Sequence, residues 1–401
     1  MAEIAESAGV RRASKDAART RAPIADVGGA LTPLADIPVP SWRALSERAT
    51  EPNGYYLPEW ELAVNASARE RGDAAALTAW SDASQLIGLM PVISLWRACK
   101  IPLPALVSAD PYGTLSTPPL DRELAEDAAA GLLQQARQSG AHALILRDVS
   151  LDGAAMKSLA SILRRDRLQP IVLQSHVRAC LDATRDADEL LQEALGNKKL
   201  KELRRQRNRL AEHGAVTFDV AREPRDAAVA LETFLKLEAS GWKGQRGTAL
   251  GQHGGDAAFI RRATAGLVAT SQCEIVTLRT GDTPVASAIV LRHQDRAFYF
   301  KLGVDENFAK FSPGVQLTLE LTRHLCADPS IRLVDSTANP DHPMIDPIWR
   351  GRLAIGDVLI PLRQRDPVAA LIHMAVVLRK SLREPARHLV RLIRKHREKS
   401  S

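Results

Sequence analysis

The chain has 401 residues, enough for two or three domains at roughly 100–200 residues each, and its 45% hydrophobic and 25% charged residues are those of an ordinary globular protein. Aromatics, at 4%, are too sparse for a stacking platform along nucleic acid, and the longest apolar stretch, Leu86 to Trp96, falls well short of the about 20 residues that a bilayer span needs. The formal charge of +7 is local: residues 378–401 carry nine Lys/Arg against Glu384 and Glu398, which is the whole excess.

Residues 1–38 are poor in large apolar side chains and contain no hydrophobic signal core, so they read as a disordered leader to a cytoplasmic protein. Four scattered cysteines without a CxxC pair suit buried thiols in a reducing compartment. With no HExxH or HxxxH, no metal site is expected.

From residue 39 the chain reads as an N-terminal half to 185. A helix over PEWELAVNASARERG precedes two strands, AALTAWS and LIGLMPVISLW, joined by a polar turn. The helix DRELAEDAAAGLLQQARQSG follows, with Gly140 where a left-handed C-cap belongs, then the strand AHALILRDV. The helix AAMKSLASILRRDR and the strand PIVLQSHV lead into a basic helix near residue 190. The second half, 186–362, repeats the layout. The helix DAAVALETFLKLEASGW precedes the strands CEIVTLR, PVASAIVLR and RAFYFKLGV, then the helix SPGVQLTLELTRHLCA and the strand SIRLVDS. A β-β-(β)-α-β order thus occurs around 74–150 and again at 273–337, predicting an α/β (α+β) body of two mixed sheets covered by helices. Asp366-Pro367 marks a boundary. The tail, 363–401, which holds this mark near its start, places Leu371, Met374, Leu378, Leu382, Leu389 and Ile393 at helical spacing opposite basic residues. It reads as a peripheral attachment to an anionic membrane surface at the inner face, or as a charged helix docked on the body.

The most specific segment leads from a strand, Phe298 to Gly303, through DENFAK to Ser312-Pro313-Gly314. Ser312 suits an N-cap and Pro313 the first helical position. Gly314 leaves the first turn open to close approach, so the helix amides could hold a pyrophosphate, or simply begin a well-capped structural helix. Five segments in one order, GNKKLKELRRQRNRL, FLKLEASGWKGQRGTAL, PVASAIVLR, FYFKLGVDENFAKFSPGVQL and DSTANPDHPMIDPIW, make residues 190–350 resemble the CelD-type acetyltransferases. That is a GNAT branch similar to the Fem-type aminoacyl transferases.

The resemblance implies a tandem GNAT-like acyltransferase that binds acetyl-CoA or another acyl-CoA between splayed strands. Lys310, Ser312 and Gly314 would then form its pyrophosphate loop. Only one glycine follows Lys310, where GNAT proteins carry Q/R-x-x-G-x-G/A, which leaves room for a different acyl carrier. Asp335, at a strand end, could take a proton from the acceptor, or serve as a cap or ion-pair partner. Lys301 could offset charge on the thioester oxygen, or snorkel at the surface. Tyr299, two residues away on the same strand face, could protonate the leaving thiolate. Trp242 and Lys243, in a glycine-rich loop, would border a small-molecule or polysaccharide acceptor, or Trp242 packs a helix end. Asp341 and His342, in NPDHPM, read as a plain Asx-Pro turn near the cleft mouth in preference to a catalytic dyad. A different class of function remains open: a non-catalytic scaffold that binds anionic polymer or membrane through its two basic helices.

Overall fold

The computed structural model describes residues 31–382, together with all side chains in that span except those of Trp242 and Lys243. Twelve strands run in chain order: β1 (Thr32–Pro33), β2 (Ala75–Trp80), β3 (Leu86–Ser94), β4 (Ala105–Ser108), β5 (Ala143–Ser150), β6 (Ile171–Asp182), β7 (Val216–Ala221), β8 (Cys273–Thr280), β9 (Thr283–His293), β10 (Arg296–Val304), β11 (Leu333–Asp335) and β12 (Gly351–Pro361). The helices are α1 (Val39–Glu47), α2 (Pro58–Ser67), α3 (Leu95–Cys99), α4 (Ala125–Gln138), α5 (Ala154–Arg165), α6 (Ala187–Leu210), α7 (Pro224–Ser240), α8 (Trp242–Gln245), α9 (Gly254–Ala269), α10 (Pro313–Cys326) and α11 (367–382).

Local chemistry explains most of them. In α4, Ala128, Leu132 and Ala136 recur every four residues beside Ala129 and Leu133, and all five are buried on the sheet. Gly131 lets that helix lie close, since a Cβ there would stand 2.7 Å from Ala79 Cβ. Gly140 ends the helix at φ +82°, as expected. The central strands β3 and β9 are buried on both faces and accordingly read as almost unbroken apolar runs.

The two expected sheets are one. The order is β1-β2-β3-β4-β5-β12-β6-β11-β10-β9-β8-β7, which is palindromic about the β12/β6 pair. Each half supplies five strands and lends its sixth to the seam: β6 pairs with β11, β12 pairs with β5, and the two pair antiparallel with each other from Gly351↔Cys180 to Leu359↔Ile171. Exchange of these strands satisfies two edges that separate sheets would have left open. Sequence reading found neither β4 nor β12. The expected leader also ends too late, because Leu34 and Ile37 are buried in the body against Trp42 and Leu45. Residues 1–30 and 383–401 lie outside the described residues.

Candidate functional site

Among the strand neighbours of the described residues only β4/β5 and β10/β11 run parallel, and each pair forms a V. β10 pairs with β11 only over Arg296–Phe298, after which β10 continues to Val304 while the partner chain turns away at Thr337, φ 50°. Thr337 Oγ1 donates to Tyr299 O at 2.7 Å and holds the point of divergence. The opening is a cavity of about 420 Å³ between β10, residues 336–345 and Thr114. In the first half the equivalent opening is filled. The chain after β4 passes back along β5, where Ser116 N–H donates to Asp148 O at 3.0 Å and Ser150 N–H to Thr117 Oγ1 at 3.1 Å. A larger cavity of about 810 Å³ lies at the seam between the halves, with Arg122, Arg296 and Arg352 facing Glu51, Asp152 and Asp295. It lies at the end of β10 where Arg296 first pairs with β11, not where β10 and the chain after β11 diverge, and its opposite charges balance.

Beneath the open V sits a buried polar network. Arg178 on β6 donates from Nη2 to Asp335 Oδ2 at 2.5 Å, and from Nη1 to Thr114 O at 2.5 Å and Thr114 Oγ1 at 3.0 Å. Asp335 Oδ1 accepts the Thr337 N–H at 2.9 Å, and Thr114 Oγ1 donates to Thr337 O at 3.1 Å. Arg178 and Asp335 side chains are each 1% exposed. The segment that plugs the first V thus reaches across the seam to floor the second.

Residues 197–342 match the family model described as "Acetyltransferase (GNAT) domain". This chain carries a GNAT domain. The match does not single out the CelD-type branch, and no curated protein matches the chain. Solved structures share the fold of both halves at low identity. FemX is 12% identical with a TM-score of 0.55, covering 84% of this chain and 98% of its own. The C-terminal DUF2156 domain of an Agrobacterium fabrum protein assigned as a lysylphosphatidylglycerol synthetase is 14% identical at 0.51, covering 84% and 96%. A conserved protein from Bacteroides thetaiotaomicron is 12% identical at 0.51, covering 82% and 98%.

In the GNAT domain, β10 carries a bulge. Tyr299 pairs with Val290 and Lys301 with Ile289, so Phe300 is the extra residue. Simple alternation would put Tyr299 and Lys301 on one face; the bulge puts them on opposite faces. Tyr299 packs beneath α10 with its hydroxyl 3.3 Å from Thr318 Oγ1, and burial pushes its titration up. Lys301 turns to the α7 side, its Nζ 3.6 Å from Glu238 Oε1 and 5.6 Å from the ring centres of Phe300 and Tyr112. Asp335 is enclosed, with both carboxylate oxygens occupied.

Ser312 does precede α10 and Pro313 does open it, but Ser312 sits at φ 53° and its side chain makes no capping bond. Gly314 is approached by protein: a Cβ there would stand 3.0 Å from Leu302 Cδ2 and 3.3 Å from Met344 Sδ. Lys310 is exposed, with Nζ 4.9 Å from the Phe311 ring centre, and Arg209 of α6 lies 5.8 Å from the same ring. Trp242 and Lys243 open α8, their side chains outside the described residues. His342 Nδ1 accepts the Met344 and Ile345 N–H groups at 3.4 Å, the work of a turn. Sequence reading missed Arg178, Thr114, Thr337 and Glu238. The one available signal was an arginine inside the apolar strand HVRACL. No cluster of metal-binding side chains occurs among the described residues.

Proposed function

We propose that the second half moves an acyl group from an acyl-CoA thioester to an amine or hydroxyl acceptor, in the opening between β10 and β11. The observation that carries this reading is the contrast between the two Vs: one open above a bulge, the other filled by its own chain. A bulge leaves backbone polar groups outside the ladder, and an N–H held rigidly in a dry cleft stabilises charge developing on a carbonyl oxygen. The acceptor nitrogen or oxygen attacks the thioester carbon. The new C–N or C–O bond forms as the C–S bond breaks, and the acceptor's proton ends on the departing thiol.

Lys301, paired with Glu238 away from the α10 side, serves the acceptor in this scheme and not the thioester oxygen. Trp242 and Lys243 would line the same approach to a small-molecule or polysaccharide acceptor. Donor phosphates would lie at the exposed corner of Lys310, Arg209 and Ser312, since Gly314 is covered. Asp335 acts as a positioning residue: through Arg178 and Thr337 it sets the angle of the V.

Thermal unfolding with acetyl-CoA, longer acyl-CoAs and polyanions tests the reading, since a ligand at 100 times its Kd adds about 2.7 kcal/mol. Thioesters should raise the Tm of the wild type, and Ala338→Trp, which fills the opening, should abolish the rise while remaining folded. Stabilisation by polyanions alone would favour a binding scaffold instead.

A further inference from the structure

The described part of the chain ends in a helix with two apolar faces, only one of which has a partner. α11 is firmly begun: Asp366 Oδ1 accepts the Val368 N–H at 2.9 Å, and Asp366 Oδ2 lies 2.7 Å from His142 Nδ1. Pro367 occupies the first turn, where its missing N–H costs nothing. The inner face docks on the first half. Ile372 is fully buried and Ala369 nearly so, with Val368 and Val376 packed beside them against Leu95, Ile145 and Leu359.

The outer face is different. Leu371, Met374, Leu378 and Leu382 recur at three- and four-residue steps and are 47–66% exposed, with Val377 alongside at 42%. Elsewhere among the described residues, large exposed apolar side chains are few and scattered, so this is one continuous stripe. Arg363 and Arg365 are exposed at its start. The sequence that follows directly, residues 383–401, adds seven Lys/Arg against two Glu.

We infer that this outer face is a docking surface for an anionic lipid bilayer. The helix would lie in the interface plane, with Leu371, Met374, Leu378 and Leu382 entering the acyl boundary and the net positive charge of this end of the sequence drawing it to anionic headgroups. An apolar stripe without charge would suit a second copy of the chain equally well. The run of cations that follows it in sequence favours a negatively charged surface, because a second copy would present the same positive charge and repel. No helix of the described residues is long and apolar enough to cross a membrane, so attachment is peripheral in this segment. The inference does not rest on acyl transfer.

Co-sedimentation of the full chain with vesicles of phosphatidylcholine, with and without phosphatidylglycerol, tests it. Binding should require phosphatidylglycerol and weaken as salt is raised. Replacing Leu371, Met374, Leu378 and Leu382 together by serine should reduce partitioning at least tenfold, with Tm unchanged because the inner face is untouched. Val229→Ser, at an exposed apolar residue on α7, should bind like the wild type. Full binding by the serine variant would overturn the proposal. So would a wild-type dimer that the same substitutions dissociate, since the stripe would then be covered by another copy. Thioester stabilisation measured without vesicles should be the same in both proteins, which separates this outcome from the fate of the proposed enzymatic activity.

Discussion

Two buried residues carry charge-related consequences that a sequence pattern cannot show. Arg178 and Asp335 form an ion pair at 1% exposure, and removing one partner leaves the other buried without its counter-charge. Asp335→Asn should therefore destabilise the fold by about 3–5 kcal/mol in denaturant unfolding, whereas replacing both residues with apolar side chains should cost much less. If Asp335→Asn unfolds like the wild type yet turns over slowly, Asp335 is a proton acceptor and not a positioning residue.

His293 makes a second, pH-dependent case. Burial pushes its imidazole down to about 4, while Nδ1 accepts the Asn53 N–H at 2.8 Å and Nε2 bonds Ser46 O at 2.9 Å. An unfolded histidine titrates near 6.5, so the unfolded chain binds the proton first. The stabilisation is complete above pH 6.5 and is lost as pH falls towards 4, by up to about 3 kcal/mol. Asp148, raised to about 6 by burial and the nearby Asp357, pulls the other way below pH 6. The test is thus the difference between the pH–stability curves of wild type and His293→Gln, which should shrink steadily from pH 6.5 to 4. A constant difference would remove His293 as the cause.

Among the elements, α6 and β10 are each bent by one local feature. Inside α6, Gly196 adopts φ 68° and ψ 167°, a region essentially reserved for glycine, and this turns the basic stretch 197–210 against the corner of Lys310 and Phe311. Gly196→Ala should cost roughly 1–3 kcal/mol and displace that stretch, so thioester stabilisation should fall with Tm. An unchanged Tm would show that the kink relaxes freely. In β10 the bulge at Phe300 decides which face Lys301 serves. Lys301→Met should raise the acceptor KM with little change in thioester stabilisation. Loss of thioester stabilisation would instead put Lys301 on the donor side.

Across the whole molecule, the second half keeps an open V and the first does not. The first half fills its own V, lends Thr114 to the second and receives β12 in exchange for β6. α11 belongs to that body as well. Ile372→Ala should cost about 2–5 kcal/mol, which would explain any loss of solubility on deleting residues from 366 onward. A loss below about 1 kcal/mol would show that α11 docks only weakly.

The sequence alone determined the elements whose signals are local. The repeated strand and helix order came from apolar periodicity, Gly140 and Pro313 marked helix ends by conformational preference, and Asp366-Pro367 marked the start of α11. Tertiary structure decided what depends on residues far apart in the chain. β12 pairs with a strand about 200 positions earlier, so nothing beside it in sequence reveals that two sheets become one. Alternation predicts the faces of β10 only while the ladder is regular, and one extra residue at Phe300 reverses it for Lys301. Asp335 looked available because a strand end is usually exposed. Arg178, 157 positions away, closes it, since a buried carboxylate is stable only with its charge and hydrogen bonds met.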